Sequence, residues 1–213
     1  FYILFAILSD SVDPYRPLNI LLGILGWAYF AKTTTRCTVS LQRNSSLIKR
    51  VYFPREIFLF SQVGFHAVNL LLSLLVIIPL LYHYGMAPTL NILLFPAALI
   101  LIAMLALGLS FFTCIIQTRM RDIEHIVTVA LRIGFYLTPV FYTLDMITQS
   151  RIPVEYAEIY LYLNPMATYI TMIRCAFTGQ PLDIDNLNLI VTISSTVLLY
   201  LLGSMFSFFM VIF

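Results

Sequence analysis

The sequence predicts an all-helical integral membrane domain over residues 1–213, with six spans (the first mostly missing) and an external re-entrant helical hairpin. Three observations predict it. Hydrophobic residues make up 61% of the chain and charged ones only 10%, at a mean hydropathy of +0.94, whereas soluble domains carry about 45–50% apolar and 25% charged residues. No charge occurs in the 62 residues from Ile57 to Thr118, too long for one crossing and enough for two of about 20 residues each. Lysines and arginines also divide unequally between the two sides that alternating spans would define.

Taken in order, residues 1–8 are the tail of an apolar run with no initiator Met and no charged segment ahead of it. That fits the remnant of a first span better than a signal peptide. The second span is 18–41, apolar to Ala31 and then polar at Lys32, Thr33, Thr34, Thr35 and Arg36. Spans at 56–81 and 91–118 share the charge-free stretch, parted near Gly85 and Pro88, which supply turn chemistry. A fifth span, 124–144, is apolar from Ile126 to Leu144 apart from Arg132, and a sixth, 187–213, is charge-free. Between these two, Ile159 to Ile173 is short for a crossing and is interrupted at Asn164-Pro165. Proline removes a backbone donor and disfavours helix in the residue before it. Residues 156–180 are therefore expected to dip into the outer leaflet and return.

With that hairpin outside, nine of the twelve Lys and Arg residues fall on one side: Lys32, Arg36, Arg43, Lys49, Arg50, Arg55, Arg119, Arg121 and Arg132. Seven of the ten acids fall on the other. Positive residues mark the cytoplasm, so Gln42–Arg55 and Thr118–His125 are cytoplasmic loops and the C-terminus lies inside.

Several chemistries are excluded. Neither Lys32 nor Lys49 follows a glycine, so there is no Walker A loop, and HExxH, GxSxG and GxGxxG are absent. Cys37, Cys114 and Cys175 lie far apart without metal spacing. No carboxylate sits centrally in a span, where coupled carriers keep ionisable groups. Arg132, about 9 Å along the helix from Ile126, either snorkels to the interface or pairs inside the bundle. Gly64, Ala67, Ser73, Ala103, Ala106 and Gly108 are expected to permit close helix packing.

The first cytoplasmic loop, 44–55, is the most informative segment. Asn44 can cap a short helix starting at Ser45, on which Leu47, Ile48, Val51 and Tyr52 share a face apart from Lys49 and Arg50. Pro54 suits the first turn of the next helix. Such a basic amphipathic helix serves equally to rest on anionic lipid or to dock a cytoplasmic protein.

Asn44 to Pro54, NSSLIKRVYFP, resembles the first coupling segment of ABC-2 type permeases that export polysaccharides. Arg121-Asp122 is similar to that family's second cytoplasmic loop, and Thr138-Pro139-Val140-Phe141-Tyr142 to its PVFY element. Asn164-Pro165-Met166 with Arg174 and Gly179 is similar to its external hairpin, and Gly26-Trp27-Ala28-Tyr29-Phe30 to an aromatic stretch in its second span. The resemblance implies the six-helix permease half of an exporter, with an amphipathic N-terminal helix and most of the first span lying outside these residues. It also implies a second copy of the chain and two copies of a separate ATPase subunit. No cofactor belongs to this chain, ATP and Mg being bound by that ATPase. The implied cargo is lipid-linked glycan such as O-antigen, capsule or teichoic acid, moved across the bacterial or archaeal cytoplasmic membrane.

On the same resemblance, Asn44, Leu47, Ile48, Lys49, Arg50, Tyr52, Pro54, Arg121 and Asp122 form the ATPase-coupling set. Trp27, Tyr29, Phe30, Tyr136, Pro139, Phe141, Tyr142, Asn164, Pro165 and Tyr169 form the substrate path or gate. Sugars stack on aromatic rings, yet an interfacial aromatic belt would look the same in sequence. Export of drugs or lipids by the same architecture is the nearest alternative. A lipid-modifying enzyme would need convergent acid, base or metal residues, and an ATP-independent channel would leave the basic loop without a partner.

Overall fold

The computed structural model describes residues 15–48, 54, 56–85, 89–141, 161–182 and 184–212. The expected remnant at 1–8, residues 156–160 of the hairpin, and Lys49, Arg50, Tyr52 and Tyr142 lie outside them. Every regular element among the described residues is helical: α1 (Arg16–Arg43), α2 (Ser45–Ile48), α3 (Glu56–Leu74), α4 (Ile77–His83), a 3₁₀ turn (Leu90–Leu93), α5 (Leu94–Arg119), α6 (Ile123–Leu137), α7 (Pro165–Thr178) and α8 (Asn186–Ile212).

Prolines set several of these boundaries. Pro17 opens α1, in the first turn where a missing N–H costs little. Pro79 cannot donate to the carbonyl four residues back, and its ring crowds that carbonyl. The chain breaks there, at Leu75 and Val76, whose amides bond instead to Leu72 and Ser73 at 3.2 Å. The stretch expected as one span over 56–81 is thus two helices. Pro139 likewise holds Thr138 extended, φ −87° and ψ 145°, so α6 stops at Leu137 rather than running to Leu144. Among the described residues, Glu56–His83, Leu90–Arg119 and Asn186–Ser207 are long and apolar enough to cross a membrane.

The central helices are α1 and α5. Helix α5 packs on α8, α1, α7 and α3, and α1 also meets α3, α7 and α6. The 28 residues of α1 are the less apolar of this pair because protein, not lipid, surrounds them. Asn19, Thr33, Thr34, Thr38 and Ser40 are all buried. Thr34 Oγ1 donates to the Phe30 carbonyl at 2.9 Å, and Thr38 Oγ1 lies 2.8 Å from Thr113 Oγ1 on α5. The outer faces of α3, α4 and α8 carry exposed Phe65, Val68, Leu72, Val76, Ile78, Leu198 and Met205, a surface suited to hydrocarbon.

Backbone meets backbone where α5 crosses α8. A Cβ on Gly203 would lie 2.6 Å from the Gly108 carbonyl oxygen, and one on Gly108 3.0 Å from the backbone of Leu199 and Tyr200. Gly64 corrects the packing expectation, since nothing lies within 4 Å of the side chain it lacks.

Helix α7 begins and ends at one end of the bundle. Asn164, just before it, donates Nδ2 to Thr138 Oγ1 at 3.0 Å, where α6 has ended. Past its other end, the Gln180 carbonyl accepts Asn91 Nδ2 at 3.0 Å, next to the start of α5. Gly179 closes α7 in the left-handed conformation, φ 71°, its N–H bonded to the Cys175 carbonyl, a geometry glycine adopts without penalty. Tyr15 and Tyr84 meet edge to face at 5.8 Å at this same end. The opposite end carries Arg43, Arg119 and Arg121, the end that the charge distribution predicts to be cytoplasmic.

Candidate functional site

At the cytoplasmic end, one side chain gathers both loops. Gln117 of α5 is only 2% exposed. Its Nε2 donates to Gln42 Oε1 at 2.9 Å and to the Arg121 carbonyl at 3.0 Å, while its Oε1 accepts the Glu124 amide at 2.8 Å. The last turn of α1, the Arg121-Asp122 turn and the first turn of α6 are therefore tied together through one side chain. Arg121 and Asp122 are exposed beside it, as is Pro54.

Asn44 acts differently from the expected cap. Its Nδ2 donates backward to the Ser40 carbonyl at 2.8 Å, closing α1, and its own carbonyl accepts the Leu47 and Ile48 amides at 3.1 Å. The last turn of a helix leaves carbonyls unpaired, and the amide nitrogen is a donor that can satisfy one. Leu47 and Ile48 part company on the short α2. Ile48 packs against the cluster of Cys37, Leu59 and Phe111, and Leu47 is 55% exposed. Helix α2 is thus anchored by one apolar residue and presents another outward.

Replacing Gln117 by Leu keeps the volume and removes all three bonds. Amide exchange at Glu124 is expected to rise roughly tenfold or more, the scale of one unsatisfied buried group. Unchanged exchange there would show that the loops are held by something else.

Between α1 and α6 runs an open groove of about 520 Å³. Lys32, Arg36 and Arg43 line it from α1, Arg132 and Glu124 from α6, and Trp27 and Phe135 form its outer part. Those two rings lie 6.1 Å apart, and Phe135 meets Phe141 edge to face at 5.1 Å. A Cβ on Gly134 would sit 3.0 Å from the Trp27 ring, so glycine there lets the indole lie against α6.

The remaining aromatic positions separate. Tyr136 is exposed, whereas Phe30 is buried in the core. Tyr29 is buried and faces a smaller recess toward α3 with His66, Asn69 and Ser73. Tyr169 is fully buried and directs its hydroxyl to the Thr192 carbonyl and to Thr196 on α8. Trp27, itself only 7% exposed, meets Phe30 at 5.4 Å on one side and Phe135 on the other, and Phe135 in turn meets Phe141; Tyr29, Phe30 and Tyr169 are set in helix contacts.

Sequence reasoning missed the device at the outer end. Arg174 of α7, 5% exposed, donates Nε to the Asn19 carbonyl at 3.0 Å and Nη2 to the Val140 carbonyl at 2.8 Å. A Cβ on Gly23 would fall 2.8 Å from both Nη2 and the Val140 oxygen, so only glycine leaves room. Buried Pro139 sits between this clasp and the Asn164–Thr138 bond, and Pro165 opens α7 beside it. The signal in the sequence was the pairing of an arginine with a glycine on another helix, which no local pattern reveals.

Residues 2–178 match a family model described as ABC-2 type transporter. The chain is similar to the O-antigen export system permease protein RfbA of Klebsiella pneumoniae, 29% identical over 191 residues, which cover 89% of this chain and 71% of that protein. It is also similar to the O-antigen export system permease protein RfbA of Myxococcus xanthus, 28% identical over 207 residues, covering 97% and 78% respectively.

Proposed function

Because the chain belongs to the ABC-2 type transporter family, we propose that it is the membrane subunit of an ATP-driven exporter of lipid-linked polysaccharide in the cytoplasmic membrane. It is a multi-pass membrane protein and a transport subunit. One observation carries the cargo class: the similarity to permeases named for O-antigen export extends over nearly the whole chain.

Two copies of the chain pair about a two-fold axis, the commonest homodimer symmetry. ATP and Mg²⁺ are bound by two copies of a partner ATPase, whose phosphate-binding loop supplies what this sequence lacks. The partner docks on Leu47 and the rest of 44–55 and on Arg121-Asp122, and Gln117 passes its motion to α1, α5 and α6 together. Phe135 and Phe141, backed by buried Trp27, offer flat rings to passing sugars.

Deleting the gene should leave polysaccharide inside the cell and strip it from the surface, and a chromosomally tagged chain should co-purify with a Walker A ATPase. Unchanged surface polysaccharide together with new sensitivity to drugs would replace glycan by small-molecule export.

A further inference from the structure

We propose that the groove between α1 and α6 seats the phosphoryl group joining a glycan to its lipid, held by Lys32, Arg36 and Arg132. The proposal rests on the exporter function above and assigns the part of the cargo that this groove binds.

Charge is the first argument. Four cations face the groove against one carboxylate, Glu124, and among the described residues none of the four cations is paired with a carboxylate. Depth is the second. Lys32 lies eleven residues from the cytoplasmic end of α1 and Arg132 nine from the start of α6. At 1.5 Å per residue these are about 16 and 13 Å, so the two charges stand at similar height on facing helices. Charges that deep in a membrane protein mark function unless partnered. Arg36 is one turn below Lys32, and Arg43 and Glu124 lie nearer the cytoplasmic end. An anion entering from that side therefore meets rising positive potential along the groove.

The third argument is lateral shape. Val129 and Ile133, which flank Arg132 on α6, are 53% and 56% exposed. An apolar chain can lie over them while its anionic head reaches around to Arg132. Above the cations, Phe135 replaces charge with a ring face, backed by Trp27, which is only 7% exposed; that face fits a sugar attached on the far side of the phosphoryl group. Anion, apolar tail and sugar each meet their own surface in one groove. A soluble phosphate would use only the first.

The test uses the complete complex with its ATPase, reconstituted in phosphatidylcholine nanodiscs. The probe is a radiolabelled short-chain lipid diphosphate bearing one sugar. Lys32→Gln and Arg132→Gln should each weaken retention roughly tenfold, the worth of one charge-assisted hydrogen bond. Arg132→Lys should restore part of it, and Glu124→Gln should tighten it by removing the one opposing charge. Lys32 and Arg132 are exposed in the groove and Glu124 is half-buried, and ATPase co-purification checks that each variant still assembles.

Equal retention in wild type and the glutamine variants would overturn the proposal. So would displacement by phosphatidylglycerol as effectively as by unlabelled probe, which means a general anionic-lipid site. Displacement by inorganic pyrophosphate alone would also overturn it, because the lipid would then be unnecessary. Gene deletion separates the two failures: export lost with retention unaffected by the variants sinks only the groove assignment, whereas export intact sinks the exporter function itself.

Discussion

Arg174→Leu is expected to lower stability by about 3–6 kcal/mol, as the sum of two hydrogen bonds to a charged donor worth about 1.5–3 kcal/mol each. The guanidinium donates to the Asn19 and Val140 carbonyls, and leucine removes that donor from both. Because one side chain joins α1, α7 and the stretch after α6, the loss should appear as release of the whole outer end. Arg174→Lys reaches a single carbonyl and should recover part of the loss. Gly23→Val should reproduce the defect with Arg174 intact, since its side chain would enter the space of both Nη2 and the Val140 oxygen. Thermal unfolding of detergent-purified protein, followed by size-exclusion, measures all three. An unshifted midpoint in Arg174→Leu would show that the clasp is dispensable.

Gly203→Leu should be the most damaging single change in the bundle. The position already sits against the Gly108 carbonyl, where even a Cβ would be 2.6 Å away. Overpacking a close-packed contact by a few methylenes costs about 1–3 kcal/mol when neighbours can shift. Here the obstacle is another helix's backbone, so α5 and α8 must separate along the most extensive contact in the molecule. Gly64→Leu is the matched control: it adds the same side chain where nothing lies within 4 Å. Yield of monodisperse protein should fall to near background for Gly203→Leu and stay at wild-type level for Gly64→Leu. Equal yields would mean that the crossing tolerates a wider separation.

How much of this was legible beforehand depended on whether the signal was local. Helix positions were, because apolar runs act within a few residues; the breaks at Pro79 and Pro139 were not drawn from the sequence, although each follows from the carbonyl or backbone angle that the proline disturbs. That Gln42 and the Arg121-Asp122 turn share one end of the bundle was legible from charge and spacing. Their mechanical union was not, because Gln117 reads as an unremarkable polar residue until α1 and α6 arrive on either side. Asn44 misled for a related reason: its side chain is both donor and acceptor, and the sequence does not say which helix end it will serve. The aromatics were legible as a class and illegible as individuals. Trp27 and Tyr29 are two residues apart, yet helical rotation sends one to the groove and the other toward α3.

The early end of α6 has a consequence for the surrounding lipid. Its 15 residues rise about 22 Å, against a hydrocarbon core of about 30 Å. The 26- and 27-residue helices α5 and α8 exceed that thickness. The bilayer next to α6 must therefore pinch inward, or cover the Thr138–Phe141 stretch, whose Val140 oxygen and Thr138 hydroxyl already have partners in α7 and Asn164. Such mismatch costs fractions of a kcal/mol per Å. On the flank where the cationic groove opens, membrane thickness thus becomes a variable: long saturated acyl chains resist the pinch, and short ones relieve it.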